Sequence, residues 1–240
     1  MKKTVLVVCA FALLLMTPPM LMIITGWHWS PETQFNSMKW LLWLTDTAGT
    51  PYSVLTALLF LGAVAFVFRS KKKQRLKILF VLICVVLLQQ GLKSALKSTF
   101  KEPRPYVEWL ATEYQIPSSD FYELKRSIRA KLIKDTVKQD ENVPKWQRKH
   151  WQAETGYSFP SGHMLFAAGW ALFLIALFWQ QRLYVLSIGL AIWAEGIAFS
   201  RMLLGMHWPI DIITSVIISA CFTIFGYYIL RTWGVFNKAD

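Results

Sequence analysis

The stretch that decides the fold is residues 160–179, which read PSGHMLFAAGWALFLIALFW. After the turn-forming and polar residues Pro160 to His163, an apolar run extends from Met164 to Trp179 without a charged side chain. A helix needs roughly 20 apolar residues to cross a bilayer, and this run comes close to that length. The whole chain shares this character, because 55% of its 240 residues are hydrophobic and its mean hydropathy is +0.37. Such a composition predicts an integral membrane protein.

Apolar runs of similar length recur along the chain and predict its architecture. We expect an all-α integral membrane protein with six transmembrane helices, over residues 5–25, 51–68, 78–97, 163–179, 183–203 and 208–230. The hydrophilic stretch between the third and fourth spans is too long for a bare connection. It predicts a helical region outside the membrane over about residues 98–162. All of these segments are expected to form a single membrane-embedded domain over residues 1–240.

Positive charge near the ends of the spans predicts their orientation. The short loop at residues 69–77 carries six Lys and Arg residues and no acid, and the amino end adds Lys2 and Lys3. Basic residues in short loops are retained in the cytoplasm. With six spans, both termini are then cytoplasmic, and the region 98–162 lies on the outer side of the membrane.

The net charge of +12 does not by itself identify a partner. Because the basic residues lie beside hydrophobic spans, acidic membrane lipids are the favoured partner and nucleic acid is not expected. Cys9, Cys84 and Cys221 all lie inside predicted spans, which indicates neither a disulfide framework nor metal-ligand spacing. No obligate protein partner is predicted.

The first of three polar clusters follows the third span. If that span continues as a helix, Gln90, Lys93 and Lys97 share one face that points into the bundle. Prolines on both sides of Arg104 predict an extended turn, in which the guanidinium could hold two phosphate oxygens. The competing interpretation is that these basic residues only anchor the chain at the membrane surface.

The second cluster, Pro160 to His163, immediately precedes the fourth span. Free N–H groups at the start of a helix make an anion site, so Ser161 and Gly162 are candidates for binding phosphate oxygens. His163 titrates near neutral pH and could donate a proton to a leaving oxygen. The alternative is an interfacial histidine that only hydrogen-bonds to the backbone.

The third cluster joins the fifth and sixth spans, where Arg201 ends one helix and Asp211 follows His207 by four positions in the next. A carboxylate that holds one ring nitrogen leaves the other free to attack, which suits a histidine nucleophile that forms a phosphohistidine. Arg201 is a candidate third cation on the same phosphate. A metal site built on these histidines and Asp211 is the rival hypothesis, but the further carboxylate or cysteine ligands of a phosphatase metal pair are missing. We therefore predict neither metal nor cofactor.

Two further features stand outside these clusters. Asp120 and Glu123 resemble a helix start, and an amphipathic helix is predicted from the spacing of Phe121, Leu124, Ile128, Leu132 and Ile133. That helix could lie on an anionic membrane surface, or form a solvated cap over the outer helix ends. Glu195 lies within the fifth span, where we expect a protonated or arginine-paired structural residue.

The three clusters, in this order and with these internal spacings, resemble the three-part signature of the type 2 phosphatidic acid phosphatase superfamily. The segments Lys101 to Pro105, His150 to Gln152, Glu154 to Gly156 and Leu204 to Pro209 extend the resemblance to its bacterial lipid phosphatases. It implies metal-independent removal of phosphate from lipid headgroups at the periplasmic face of the bacterial inner membrane. The implied substrates are phosphatidylglycerol phosphate, phosphatidic acid, lysophosphatidic acid, diacylglycerol pyrophosphate and undecaprenyl diphosphate.

The same resemblance implies a role for each candidate residue. His207 is the expected nucleophile, Asp211 orients it, and His163 protonates the leaving group. The residues expected to bind the phosphoryl group are Lys97, Arg104, Ser161, Gly162 and Arg201. A transferase that passes the phosphoryl group to a second lipid, and a lipid transporter without chemistry, remain alternative functions.

Overall fold

The computed structural model describes residues 1–31 and 36–236, and within these ranges the chain is helical with no strand. Short 3-10 helices precede α2 and follow α9, at Asn36–Lys39 and Trp179–Gln181. The α-helices are α1 (Lys2–Ile24), α2 (Trp40–Asp46), α3 (Tyr52–Val67), α4 (Lys72–Phe100), α5 (Pro105–Tyr114), α6 (Ser118–Glu123), α7 (Arg126–Thr136), α8 (Lys145–Ala153), α9 (Gly162–Phe178), α10 (Tyr184–Leu203) and α11 (Pro209–Thr232).

In the described ranges, five helical segments are long and apolar enough to span a membrane; they begin with α1, α4, α9, α10 and α11. The apolar helix α3, predicted as the second span, has only 16 residues. At 1.5 Å per residue it is about 24 Å long, somewhat less than the hydrocarbon thickness of a typical bilayer. The all-helical membrane architecture is therefore confirmed, whereas the count of six full-length spans is not.

The helix α9 lies at the centre of the bundle and packs against α1, α4, α10 and α11. From Met164 to Phe178, every side chain except Phe166 is buried, because the helix is apolar on all sides. Small residues allow close approach of its neighbours. A side chain at Gly169 would begin 2.6 Å from Oε1 of Gln89 on α4. The amino end of α9, which carries the second cluster, is thus fixed by the main core.

The helices α5 to α8 build a second, smaller core over one end of the bundle. Its fully buried side chains include Tyr106, Phe121, Ile133, Trp151 and Met206. This arrangement agrees with the predicted cap over the helix ends.

The amphipathic helix predicted around residues 120–133 is two helices. The chain is extended at Leu124 and Lys125, which separate α6 from α7. Phe121 and Ile133 are buried, whereas Ile128 is 47% exposed. Both helices nevertheless direct apolar side chains into the second core.

Glu195 lies on α10 among the bundle helices. Its Oε2 atom is buried without a hydrogen-bond partner, and within the described ranges no ion pair joins it to an arginine. The arginine-paired form of the prediction is therefore wrong, and the protonated form stays a prediction.

Candidate active site

The backbone that carries Arg104 turns sharply between α4 and α5. α4 ends at Phe100, and Lys101 adopts a left-handed conformation with φ of 48°. Arg104 is extended, with φ of −80° and ψ of 151°, because Pro105 follows it at the first position of α5. The extended turn predicted from the two prolines is present.

Backbone carbonyls hold the guanidinium of Arg104 in place. Its Nε donates to Gly156 O at 2.6 Å, and its Nη1 donates to Met206 O at 3.0 Å. Its Nη2 faces the carboxylate of Glu154 at 3.4 Å. Two of the three nitrogens are thus used for positioning, and the third is directed at an anion.

Lys97 is similarly fixed at the carboxyl end of α4. Its Nζ donates to Tyr157 O at 2.5 Å and to Ser158 O at 2.9 Å. As the helical spacing predicts, Gln90, Lys93 and Lys97 line one cavity. An ammonium group has three protons, so Lys97 keeps one donor for a ligand.

The second cluster forms the start of α9. Ser161 is the N-cap, and its Oγ accepts from the N–H of Met164 at 3.3 Å. Ser161 is fully buried behind the cavity, whereas Gly162 and His163 line it. A side chain at Gly162 would begin 3.0 Å from Cδ of Lys93, so glycine is what allows that lysine to reach the cavity.

The turn between α2 and α3 supports the ring of His163, a contact that no sequence pattern predicts. The N–H of Gly49 donates to Asp46 O at 2.9 Å and closes this turn. A Cβ atom at Gly49 would lie 2.6 Å from Nε2 of His163, so the backbone itself forms one wall beside the ring.

The third cluster brings His207 and Asp211 together at the start of α11. Nδ1 of His207 lies 3.1 Å from Oδ2 of Asp211, and the N–H of Trp208 donates to the same oxygen at 3.0 Å. Pro209 occupies the first turn, where its missing N–H costs nothing. A carboxylate on Nδ1 fixes the tautomer with its proton there, which leaves Nε2 with a free lone pair.

The environment of His207 favours the neutral ring. Burial, followed by the positive charges of Arg104 and Arg201, holds the pKa of His207 well below its usual value. A neutral imidazole is the form that can attack phosphorus.

Arg201 is fully buried at the carboxyl end of α10. Its Nη1 donates to Thr45 Oγ1 at 3.2 Å and lies 3.1 Å from Nε2 of His150. Its Nη2 donates to Oε2 of Glu154 at 2.7 Å. Since a guanidinium only donates, Nε2 of His150 accepts, and that ring carries its proton on Nδ1.

The structure adds Glu154 and His150 to the predicted site. Oε2 of Glu154 binds Arg201 and faces Arg104, while its Oε1 lies 3.7 Å from Nε2 of His163 and 3.6 Å from Nε2 of His150. Burial raises the pKa of Glu154, but Arg201, His163 and Arg104 outweigh it and hold that pKa well below its usual value. The carboxylate is therefore ionised and lies among the groups predicted to bind phosphate.

The surroundings of His150 also disfavour a positive charge on its ring. Burial, opposed by the charge of Glu154 and reinforced by those of Arg201 and Arg104, lowers the pKa of His150 to about 4. In the sequence, His150 and Glu154 stand four residues apart, a spacing that places both on one side of a helix, and both lie in segments that carry the family resemblance.

A cavity of about 900 Å³ joins most of these groups. Of the predicted residues, Lys97, Arg104, Gly162, His163 and His207 line it, whereas Ser161, Arg201 and Asp211 lie behind its wall. Its other side is apolar and is formed by Val54, Ala57 and Leu58 of α3 together with Val86 of α4. The cavity thus has a cationic end and a hydrocarbon-like side.

The donors in the described ranges do not form a metal site. No group of three or more His, Cys, Asp and Glu side chains there is arranged to hold a metal ion. Asp211 and Glu154 already hold a histidine and an arginine, respectively.

Comparison of the sequence with known protein families identifies one family model that matches the chain. The PAP2 superfamily model matches residues 78–234, which is more than half of the chain and includes all three clusters. The match confirms the resemblance drawn from the motifs.

Individual relatives extend the likeness beyond this segment. The chain is 40% identical to phosphatidylglycerophosphatase B of Escherichia coli over 208 residues, which cover 87% of this chain and 82% of that protein. It is 33% identical to phosphatidylglycerophosphatase B of Haemophilus influenzae, over 87% of this chain and 89% of that protein. A shorter likeness of 63 residues, at 40% identity, links it to lipid A 4'-phosphatase of Bacteroides thetaiotaomicron over 26% of this chain and 27% of that protein.

Proposed function

Because the chain belongs to the PAP2 superfamily, we propose that it is a lipid phosphatase that works through a phosphohistidine intermediate. The observation that carries this proposal is the carboxylate-held His207, which opens on the same cavity as Lys97, Arg104 and His163. A nucleophile, a proton donor and fixed cations around one space are the requirements of phosphoryl transfer.

In the first step, the Nε2 lone pair of His207 attacks phosphorus. Asp211 holds the opposite ring nitrogen and stabilises the positive charge that develops on the ring. Lys97, Arg104 and the N–H of Gly162, which line the cavity, bind the oxygens of the phosphoryl group. Ser161 and Arg201, which lie behind its wall, complete the proposed phosphate-binding set. Because carbonyls already fix Lys97 and Arg104, little ordering is needed when the substrate arrives.

The second half of the reaction depends on His163. As the bond between phosphorus and the lipid oxygen breaks, its electron pair passes to that oxygen, and His163 supplies the proton. Water then attacks the phosphohistidine while His163 accepts a proton from it. The P–N bond breaks, inorganic phosphate leaves, and His207 is regenerated.

The proposed substrates are lipid phosphates and diphosphates. The names of the long relatives favour phosphatidylglycerol phosphate, and the superfamily extends the range to phosphatidic acid, lysophosphatidic acid, diacylglycerol pyrophosphate and undecaprenyl diphosphate. The apolar side of the cavity, between α3 and α4, suits a route along which acyl chains stay in the bilayer while the headgroup enters.

We propose that catalysis needs no metal, because cations of the protein surround the phosphoryl position and a histidine provides the nucleophile. The enzyme is proposed to lie in the inner membrane with both termini in the cytoplasm. The basic loop at residues 69–77 adjoins the opposite end of α4 from Lys97, which supports a periplasmic site.

Phosphate release from purified protein tests this function. We expect the wild type to release phosphate from the lipids named above in excess chelator and without a second lipid as acceptor. His207→Ala should abolish both turnover and the phosphoenzyme, and Asp211→Asn should lower kcat by about 10⁴ in a folded protein. A phosphoenzyme trapped in His207→Ala would refute the nucleophile. A strict need for a lipid acceptor would indicate a transferase, and activity that only a metal restores would contradict metal independence.

A further inference from the structure

A second cavity of about 820 Å³ adjoins the proposed active site on the side of α7 and α8. It shares Lys93, Lys97, Arg104, Arg126 and Glu154 with the first cavity, so the two spaces meet at these side chains. Arg129 adds a fifth cation to its wall, and Glu154 is the one acid among its described lining residues. The second cavity is therefore strongly cationic.

Most of these cations are already engaged. Arg129 donates to three backbone carbonyls, of Leu124, Thr155 and Tyr122. Carbonyls also hold Lys97 and Arg104, as described above, and Glu154 is bound by Arg201. These contacts hold the side chains of the cavity wall in place and leave few of their N–H groups free to bind a ligand.

Arg126 and Lys93 are the exceptions. Across the described ranges, Arg126 has no hydrogen bond or ion pair, although it borders both cavities. Lys93 donates to the neutral Oε1 of Gln90 at 2.7 Å and meets no carboxylate. Arg126 is exposed and Lys93 is partly buried, so both charged groups are accessible to an anionic ligand at the junction of the two cavities.

The position of Arg126 relates it to the phosphoryl site. Its Nη2 would lie 3.8 Å from a Cβ atom at Gly156, and the carbonyl of Gly156 accepts from Nε of Arg104. One segment of backbone thus lies between the cation proposed to hold the transferred phosphoryl group and a free cation beyond it. Arg126 is displaced from that group in the direction of the second cavity.

We propose that Arg126 and Lys93 bind a second phosphate of the substrate, on the leaving-group side of the bond that breaks. This inference rests on the proposed function and narrows it to lipids that carry two phosphates. Two sources share that chemistry. In a lipid diphosphate the second phosphate is bonded directly to the transferred one, and in phosphatidylglycerol phosphate it is the phosphodiester beyond the glycerol.

With a diphosphate, the second phosphate takes part in the chemistry. Nε2 of His207 bonds to the terminal phosphorus while the bond from that phosphorus to the bridging oxygen breaks. The electron pair stays on the bridging oxygen, and the leaving group is a lipid monophosphate with one more negative charge on its phosphate. Arg126 and Lys93 stabilise this charge, which lessens the need for proton donation by His163.

The test compares three lipids with identical acyl chains in the same mixed micelles. Phosphatidic acid carries one phosphate, whereas diacylglycerol pyrophosphate and phosphatidylglycerol phosphate carry two. We expect Arg126→Gln to lower kcat/KM for at least one two-phosphate lipid roughly ten- to hundredfold more than for phosphatidic acid, which is the effect of losing one charged hydrogen bond. The substrate that loses more identifies the source of the second phosphate.

A matched variant controls for the effect of the change in net charge. Lys134→Gln changes the net charge by the same amount on the same helix, but Lys134 borders neither cavity. Equal losses on all three lipids, no loss on any, or the same pattern in Lys134→Gln would overturn the inference. If the wild type released no phosphate from any lipid, the proposed function itself would fail. Lys93→Gln should reproduce the selectivity of Arg126→Gln.

Discussion

The carboxylate of Glu154 occupies a position at which a phosphoryl group would meet the same cations. It binds Nη2 of Arg201, and it faces Nη2 of Arg104, the nitrogen that no carbonyl engages. Without substrate, this carboxylate neutralises two buried guanidinium groups, which would otherwise repel each other. A phosphate dianion must compete with it for both.

We therefore expect Glu154→Gln to bind inorganic phosphate about tenfold more tightly than the wild type, because the amide no longer competes as an anion. Calorimetric titration of the detergent-solubilised protein with phosphate measures this without relying on turnover. Glu123→Gln, the same change at an exposed position on α6, is the control. Unchanged or weaker phosphate binding in Glu154→Gln would show that the carboxylate does not compete for this position.

His150 predicts how stability depends on pH. Its pKa falls to about 4 in the folded protein through burial and the charges of Arg201 and Arg104, whereas in the unfolded chain it is about 6.5. Between these values the unfolded state binds the extra proton, so stability is lost as the pH falls below 6.5. At pH 5 the loss from this one residue is about 2 kcal/mol. Glu154 acts only at lower pH, because its contribution is lost below its unfolded pKa.

The corresponding measurement is the thermal unfolding midpoint of the wild type and of His150→Gln between pH 7 and pH 5. The glutamine carbonyl can still accept from Arg201, so we expect a folded variant with a shallower pH dependence. His28→Gln is the matched control at an exposed position. If the curves of His150→Gln and the wild type are parallel, the buried neutral ring is not a source of acid sensitivity.

How much of the site could be predicted depended on how local each interaction is. His207 and Asp211 face each other because they are four residues apart at a helix start, and such spacing is visible in a sequence. Glu154 meets Arg201 across 47 residues, and no periodicity links those positions. Its partners are set by the packing of α8 over the bundle, which depends on many apolar contacts at once.

At the scale of elements, the amino end of α9 depends on a neighbouring turn. Gly49, between α2 and α3, approaches His163 so closely that a Cβ atom would lie 2.6 Å from the ring nitrogen. The bundle thereby holds His163, the proposed proton donor, on a rigid helix with backbone on one side of its ring. Displacements of about 1 Å in such a site can cost about a hundredfold in rate.

We expect Gly49→Ala to lower kcat about ten- to hundredfold while the protein stays folded, because the added methyl displaces the His163 ring. Steady-state kinetics and a melting curve separate the two effects. Gly62→Ala on α3 serves as the matched control, since a Cβ atom there meets nothing within 4 Å. Wild-type kcat in Gly49→Ala would mean that this turn does not position the ring.

The helices also show which structural features a hydrophobic pattern predicts and which it does not. The long apolar helices were predicted because a bilayer demands length and composition that the sequence displays directly. Residues 120–133 had helical periodicity, yet the chain breaks at Leu124 and Lys125 to direct Phe121 and Ile133 into one core. A periodic pattern gives the type of element, whereas tertiary packing decides where it ends.

At the scale of the whole molecule, the site lies where two hydrophobic cores meet. One lies in the bundle around α9, and the other lies in the cap of α5 to α8. The cationic end of the main cavity lies between them, so Arg104 and Arg201 are held from both sides.

The orientation of this architecture can be tested with introduced cysteines in a parent whose Cys9, Cys84 and Cys221 are replaced by serine. Lys73→Cys lies in the basic segment that begins α4, and Gln139→Cys lies between α7 and α8; both positions are exposed. Because basic residues in short loops stay in the cytoplasm, a membrane-impermeant maleimide should label Gln139→Cys on intact bacterial spheroplasts. Lys73→Cys should react only after the membrane is permeabilised, and both should react fully in detergent. The reverse pattern would place the cap, and with it the cavity containing His207, on the cytoplasmic side.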